Sequence, residues 1–157
     1  MRPKIYIETS IVSYLTSQPS RDIVTAARQQ ITREWWAMRK ANFDLYVSEF
    51  VVGEASLGDV EVAKLRLAAL QGIPDIGMTD EAAILAQELV EKGPIPERAA
   101  LDALHIAAAV CGGMDYLLTW NFKHLANATI RGLIDRFCRL RGYEPCVICT
   151  PEELSED

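Results

Sequence analysis

The chain has 157 residues, a formal net charge of −6 at pH 7, an apolar content of 50% and a charged content of 24%. Its length suits one domain, and its composition excludes the disordered, collagen-like and disulfide-stabilised classes. No apolar run approaches the ~20 residues of a membrane span, and the N-terminal residues lack the pattern of a signal peptide. We therefore expect residues 1–157 to form one soluble, cytoplasmic domain.

The acidic balance argues against a broad basic surface for non-specific binding of nucleic acid. It is compatible with a nuclease, because metal sites need carboxylates. The four cysteines are few and irregularly spaced, which fits a reducing compartment. Cys146 and Cys149 are three residues apart and would point to opposite faces of a strand. We therefore interpret them as core thiols and not as a metal-binding pair.

Apolar runs and helical periodicities alternate along the chain. The predicted strands cover residues 5–7, 43–47, 73–77, 116–119 and 146–149, and the third is a weak edge strand because it contains Pro74. The predicted helices cover residues 21–40, 48–57, 59–70, 79–93, 97–111 and 129–140. This alternation predicts an α/β fold with a mostly parallel sheet that helices cover on both faces. Such sheets bind ligands beyond the carboxyl ends of their strands.

Three acidic residues occupy positions where apolar side chains are expected. Glu8 follows the first predicted strand, Glu54 lies in the apolar stripe of a helix, and Asp102 is the only acid in an Ala- and Leu-rich helix. A buried carboxylate is costly unless it is paired, hydrogen-bonded or bound to a metal. Separate partners are conceivable: backbone amides for Glu8, an arginine for Glu54, and Arg98 or His105 for Asp102. Together, the three acids favour a shared site for Mg²⁺ or Mn²⁺, which prefer oxygen ligands.

Two further polar residues lie near these acids in the predicted fold. Asn121 comes just after the predicted strand 116–119, so we expect it at the same end of the sheet. The alternative interpretation is a turn residue that hydrogen-bonds its own backbone. His105 shares a helix face with Asp102 and could orient that acid or touch a substrate. A buried histidine with its own hydrogen-bond partners is the better interpretation.

Four segments follow one another in the chain: residues 5–10 (IYIETS), 47–54, 101–109 (LDALHIAAA) and 118–122 (LTWNF). In order and spacing they resemble the motifs of PIN-domain ribonucleases, and more narrowly the VapC-like toxins of bacterial toxin–antitoxin pairs. The resemblance runs from residue 5 to about residue 125. It implies a three-layer α/β/α fold with a central, mostly parallel sheet. It also implies metal-dependent endonucleolytic cleavage of RNA that leaves 5′-phosphate and 3′-hydroxyl ends.

By this resemblance, Glu8, Glu54 and Asp102 would bind Mg²⁺ or Mn²⁺, and Asn121 would be the fourth catalytic residue. The supporting residues would be Thr9, Ser10 and Thr119. Two positions depart from the family pattern. Glu8 stands where the family usually has Asp, and its longer side chain would move the carboxylate outward by ~1.5 Å. Asn121 stands where the family commonly has an acid, which removes a charge from a possible second metal site.

The resemblance also implies an RNA substrate, a cognate antitoxin protein and a homodimer. Trp35 and Trp36 are adjacent and cannot both face inward on a helix, so we expect one of them to be exposed to a partner. Residues 131–141 form a basic segment that offers cations for RNA, and Asp135 is the only acid within it. Its candidate RNA-binding residues are Arg131, Arg136 and Arg139, followed by Arg141. A solvated helix face is an equally good interpretation of these arginines.

Two other functions compete with a nuclease. A degenerate PIN domain would bind RNA or a protein without cleaving it, and the departures at Glu8 and Asn121 favour this reading. Phosphoryl-transfer folds, such as response-regulator receivers and haloacid-type phosphatases, also carry acids at strand ends. They need an aspartate that accepts phosphate, and the first strand here ends in Glu8, so this class is disfavoured.

Overall fold

The sheet consists of four strands among the residues that the structure, a computed structural model, describes, which are residues 1–156. These strands are β1 (Lys4–Ile7), β2 (Asp44–Tyr46), β3 (Tyr116–Leu118) and β4 (Val147–Cys149). They lie in the order β2-β1-β3-β4, and every neighbouring pair is parallel. Because the strands are parallel, their carboxyl ends meet at one end of the sheet. Glu8 and Thr119 lie there, each directly after one of the two central strands.

Helices cover the sheet in a three-layer α/β/α arrangement, as the sequence predicts. Within residues 1–156 they are α1 (Thr9–Thr16), α2 (Ile23–Met38), α3 (Glu49–Ala55), α4 (Val60–Leu70), α5 (Asp80–Glu91), α6 (Ala100–Cys111) and α7 (Ala128–Leu140). Short 3-10 segments, Lys40–Asn42 and Glu97–Ala99, follow α2 and precede α6. No helix in this part of the chain has the length and apolar character needed to cross a membrane.

Local signals in the sequence explain where several helices begin. The side chains of Asp22, Asp59, Thr79 and Asn127 each accept a hydrogen bond from a backbone amide in the first turn of the helix that follows. Such caps satisfy amides that have no partner within the helix. Ser48 also stands at a helix start, but its hydroxyl does not cap α3. That hydroxyl lies 2.6 Å from the Tyr6 hydroxyl in the interior.

Two elements differ from the prediction. Helix α1 was not predicted, and it begins only one residue after β1, with the Glu8 side chain accepting a hydrogen bond from the amide of Ser10. The predicted strand 73–77 is not formed; within the described residues this segment contributes a single bridge, from Val47 to Asp75. Pro74 has no amide hydrogen to donate, and Gly77 turns the chain at a φ of +74°.

Strand β1 and helix α6 form the middle of the core. The side chains of β1 from Ile5 to Ile7 are fully buried, and residues 105–110 of α6 are all buried. Cys146 and Cys149 are buried free thiols, as predicted. The expected exposed tryptophan is wrong: Trp35 is buried, and the partly buried Trp36 packs against the core beneath the Lys40 ammonium.

Candidate active site

Glu8 lies at the junction of β1 and α1, and its carboxylate points back into the protein. Its Oε2 atom accepts a hydrogen bond from the Ser10 amide at 3.2 Å, and its Oε1 accepts from the hydroxyls of Ser10 and Thr119. The residue is only 5% exposed. The carboxylate of this longer side chain folds back onto the first turn of α1. Its partners are neutral donors, as the backbone-amide interpretation partly anticipated.

Glu54 comes from α3 and is held by two donors on one oxygen. The Thr9 hydroxyl donates to Oε1 at 2.7 Å, and His105 Nε2 lies 2.6 Å from the same atom. The partner is therefore a histidine and not the arginine considered from the sequence. Burial alone would raise the pKa of Glu54, but the hydrogen bonds from His105 and Thr9 outweigh it and lower the pKa below its usual value. Glu54 is thus kept ionised.

His105 is fully buried and uses both ring nitrogens. Nδ1 lies 2.6 Å from the Tyr6 hydroxyl, which lies 2.6 Å from Ser48 Oγ. An ionised carboxylate only accepts, so Nε2 carries the hydrogen that points to Glu54. In a neutral ring, Nδ1 then accepts from Tyr6, which in turn accepts from Ser48. Burial raises the pKa of Tyr6 far above its usual value, so its hydroxyl keeps the proton that this chain of hydrogen bonds needs.

Asp102 lies in the first turn of α6 and is half-buried. Burial raises the pKa of Asp102, and the negative charge of Glu8 raises it further. Electrostatic interactions with His105 and His124 and a hydrogen bond from Asn121 Nδ2, 3.2 Å from Oδ1, only partly oppose this. The sequence-based partners Arg98 and His105 are not bonded to it in the described structure. Asp102 and Glu8 therefore repel one another across the site.

Asn121 is both a turn residue and a neighbour of the acids. Its Oδ1 accepts from the amides of Lys123 and His124, each at 3.1 Å, while its Nδ2 donates to Asp102. Its own amide donates to the Thr119 hydroxyl at 3.0 Å. The carbonyl oxygen of Asn121 is thus engaged by its own loop. What this side chain presents to the site is a donor that orients Asp102.

The donor set suits a hard divalent cation. Glu8, Glu54 and His105 each offer one ligand atom, and these atoms lie within 4.8 Å of one another. Asp102 adds a further carboxylate whose charge is disfavoured beside Glu8. Among residues 1–156, no Lys or Arg forms an ion pair with these three acids. Partly buried carboxylates without a Lys or Arg partner fit a bound cation.

The hydrogen-bond partners of His105 decide between the two interpretations that its position in the sequence allows. His105 satisfies the expectation of a buried histidine with its own partners, but it orients Glu54 and not Asp102. Both ring nitrogens are already bonded, so binding a metal through Nε2 would break the bond to Glu54. His105 stands out in the sequence because it follows Asp102 by one helical turn in an otherwise apolar stretch, which places it near the acids.

The predicted basic segment is largely neutralised by acids from other parts of the chain. Arg131 pairs with Glu153 at 3.1 Å, and Arg139 pairs with Glu144 at 3.2 Å. The expectation that Asp135 alone opposes these arginines is therefore wrong. Arg136 is exposed and forms no ion pair within the described residues.

Comparison with known proteins shows similarity at the level of the fold. No family model matches the sequence, and no curated protein matches it. Mycobacterium tuberculosis VapC20, a sarcin-ricin loop cleaving toxin, superposes with a TM-score of 0.59 and 18% identity over 76% of this chain and 91% of that chain. The chain has a VapC-like PIN fold. Rickettsia felis VapBC2, solved bound to a DNA fragment from its promoter, superposes with a TM-score of 0.54 and 14% identity over 94% of this chain and 98% of that chain.

The VapC-like fold accounts for the meeting of the four motifs. Each motif lies at the carboxyl end of the sheet. The first connects β1 to α1, the second connects β2 to α3, the third forms the start of α6, and the fourth forms the loop after β3. The fold and the resemblance drawn from these motifs are therefore confirmed.

Proposed function

We propose that this VapC-like protein is a divalent-metal-dependent endoribonuclease of the cytoplasm and the toxin of a toxin–antitoxin pair. The observation that carries the proposal is the gathering of Glu8, Glu54 and Asp102 from three elements at one end of the sheet, without a Lys or Arg ion pair among the described residues. Repelling carboxylates cost stability unless something positive binds between them. The VapC-like fold supports RNA as the substrate.

In this proposal Glu8, Glu54 and Asp102 hold Mg²⁺ or Mn²⁺. The ion, when bound, supplies the Lewis acidity that activates water and offsets charge on the scissile phosphate. The protein keeps the three carboxylates oriented: Ser10 and Thr119 hold Glu8, Thr9 and His105 hold Glu54, and Asn121 holds Asp102. The low pKa of Glu54 keeps this acid ready to bind a cation at neutral pH.

The direct test is RNA cleavage by purified protein in Mn²⁺ or Mg²⁺, with EDTA as the blank. We expect fragments with 5′-phosphate and 3′-hydroxyl ends in the presence of metal only. Glu54→Gln and Asp102→Asn, purified in parallel, keep the size of the side chains and remove one charge each. Equal cleavage by wild type and both variants would identify a contaminating ribonuclease and contradict the proposal.

A degenerate PIN domain is the alternative. It is favoured by Asn121, whose carbonyl oxygen is engaged by the backbone of its own loop and so adds no ligand. It predicts RNA binding without cleavage in either metal, so the same assay separates the two functions.

The proposed partners are a cognate antitoxin and a second copy of this chain. The likeness to a chain of a VapBC2 complex supports an antitoxin. The gene next to the one encoding this protein tests this part: a small DNA-binding protein with an amphipathic tail, which co-purifies when the two are co-expressed, is the expected result. A neighbour that does not bind would argue for a nuclease without an antitoxin.

A further inference from the structure

An arginine and two aromatic rings form a cluster beside the acids. The guanidinium carbon of Arg28, on α2, lies 4.4 Å from the centre of the Phe122 ring and 5.8 Å from that of Trp120. Trp120 is buried and stacks on Tyr14, with ring centres 6.0 Å apart. Phe122 is 39% exposed. The outermost part of this cluster is therefore a cation and an accessible aromatic ring, which we call the Arg28–Phe122 platform.

The platform adjoins the candidate active site through the chain itself. The amide of Trp120 donates to Ser10 Oγ at 2.8 Å, and that hydroxyl donates to Glu8. Asn121, the next residue, is bonded to Asp102. Consecutive Cα atoms are ~3.8 Å apart, so the backbone of Phe122 begins immediately beside the residue that touches the acids. A substrate bound at the acids would extend over the platform.

Arg28 also differs from Arg131 and Arg139 of α7 in having no carboxylate at ion-pair distance among the described residues. Within residues 1–156 it forms no ion pair with a carboxylate, whereas Arg131 and Arg139 each do. A guanidinium stacked on an aromatic ring retains its edge donors for a phosphate. Hydrogen bonds from Thr25 lower the pKa of the Asp22 carboxylate, and the charge of Arg28 attracts that acid and lowers its pKa further, but the Arg28 and Asp22 side chains form no ion pair. The Arg28 guanidinium is suited to an anionic ligand.

We propose that Phe122 and Arg28 form a nucleotide subsite, in which an unpaired base stacks on Phe122 and the adjoining phosphate binds Arg28. The inference rests on the proposed nuclease function and assigns the substrate a base contact and a phosphate contact outside the acids. A base can stack on an exposed side-chain ring only when it is free of its own helix. Every base offers a face to an aromatic ring, so the subsite would bind unpaired bases of any sequence and would not bind paired ones.

The test is the affinity of a short fluorescein-labelled single-stranded RNA, measured by fluorescence anisotropy in EDTA. Loss of a stacked base is worth ~1–3 kcal/mol, so Phe122→Ala should weaken binding roughly 5- to 150-fold. Phe122→Trp should retain most of the affinity, because it keeps an aromatic face. Arg28→Gln should weaken binding and lower the slope of log affinity against log salt by about 1.

Lys40→Gln is the matched control. Lys40 lies 4.7 Å from the centre of the Trp36 ring, so it is also a cation over an aromatic ring. It is beyond the other end of α2, roughly 18 Å along the helix axis from Arg28, which exceeds the screening length of about 10 Å at 0.1 M salt. We expect its RNA affinity to equal that of wild type. Thermal midpoints of all variants identify any that fail to fold.

Wild-type affinity in folded Phe122→Ala and Arg28→Gln would overturn the subsite, and so would an equal loss of affinity for a fully paired RNA duplex. If Phe122→Ala does not fold, Phe122→Leu and Phe122→Trp decide the question, because only the second keeps an aromatic face. Equal affinity in these two would also overturn it. Binding is measured without metal, so a wild type that binds RNA through the platform but never cleaves would sink the nuclease proposal and leave the subsite standing.

Discussion

The Nε2 atom of His105 lies 2.6 Å from Oε1 of Glu54. The opposite nitrogen of the same ring is bonded to Tyr6, whose hydroxyl is bonded to Ser48. A fully buried chain of hydrogen bonds therefore ends on one of the candidate metal ligands and fixes which oxygen faces the ring. Groups that hydrogen-bond a metal ligand set its orientation, and their loss typically weakens metal binding 10- to 100-fold.

We expect Tyr6→Phe to act on metal binding through this chain. The substitution leaves His105 Nδ1 and Ser48 Oγ without their partner in the interior, which should cost about 1–3 kcal/mol in the free energy of unfolding. Mn²⁺ affinity, measured by calorimetric titration, should fall, and kcat should fall while KM for RNA is retained. Tyr46→Phe is the control, since its hydroxyl forms no hydrogen bond within the described residues. A Tyr6→Phe protein with reduced stability and unchanged Mn²⁺ affinity would limit this chain to a structural role.

Asp102→Asn should abolish metal-dependent cleavage without destabilising the metal-free protein. The amide is the same size and keeps an oxygen that can accept from Asn121. The pKa of Asp102 is raised in the folded state, so its ionisation costs stability as the pH rises through its titration range. The stability of the variant relative to wild type should therefore increase from acid to neutral pH and then level off. Thermal unfolding across this pH range in EDTA measures the difference.

Metal provides the second arm of the Asp102→Asn experiment. Mn²⁺ should raise the unfolding midpoint of wild type, because a ligand that binds only the folded state stabilises it, and should raise that of the variant much less. A structural ion pair predicts the opposite sign in EDTA, since removing one partner of a buried pair costs ~3–5 kcal/mol. The assignment of Asp102 as a metal ligand would be refuted by two results together: a strongly destabilised variant, and a wild type whose unfolding midpoint does not change with Mn²⁺.

The α7 arginines should add affinity for RNA without supplying chemistry. Arg139 is already paired with Glu144, so we expect Arg136→Gln to weaken binding more than Arg139→Gln. The double variant should bind all RNA sequences more weakly, with a lower salt slope, as expected for phosphate contacts. Anisotropy titrations at several salt concentrations measure both quantities. An unchanged slope in the double variant would identify these residues as a solvated helix face.

We expect the protein to be a homodimer in solution. The expectation rests on the resemblance of the sequence motifs to VapC-like toxins, because neither tryptophan of the adjacent pair is an exposed aromatic. Multi-angle light scattering at micromolar concentration should give about twice the chain mass of 17.5 kDa. A species with the mass of one chain at all concentrations would rule the dimer out.

Local patterns in the sequence were sufficient for most of the fold. Capping residues such as Asp22 and Thr79 act within one helical turn, so each could be read from a few letters. Helix α1 escaped prediction because its first turn is capped by Glu8, a residue that reads more readily as the end of a strand. The failed strand at residues 73–77 has the apolar letters of a strand, but Pro74 and the turn at Gly77 prevent continuous pairing.

The site was only partly predictable for a different reason. Glu8, Glu54 and Asp102 stood out because each acid is surrounded in the sequence by apolar neighbours. The partners of His105 lie 51 and 99 residues away along the chain, so no local pattern could identify them. The pairing of Arg131 with Glu153 and the stacking of Arg28 on Phe122 likewise join distant segments and depend on how the helices pack.

Glu8 carries two duties with one carboxylate. The carboxylate accepts a hydrogen bond from an amide in the first turn of α1 and is also a candidate metal ligand. Ser, Thr and Asn are favoured capping residues but bring no charge, and a cap lost altogether costs about 0.5–2 kcal/mol. Only an acidic residue at position 8 can both cap α1 and offer a charged ligand, so a neutral capping residue there would preserve the start of the helix and remove the carboxylate from the candidate site.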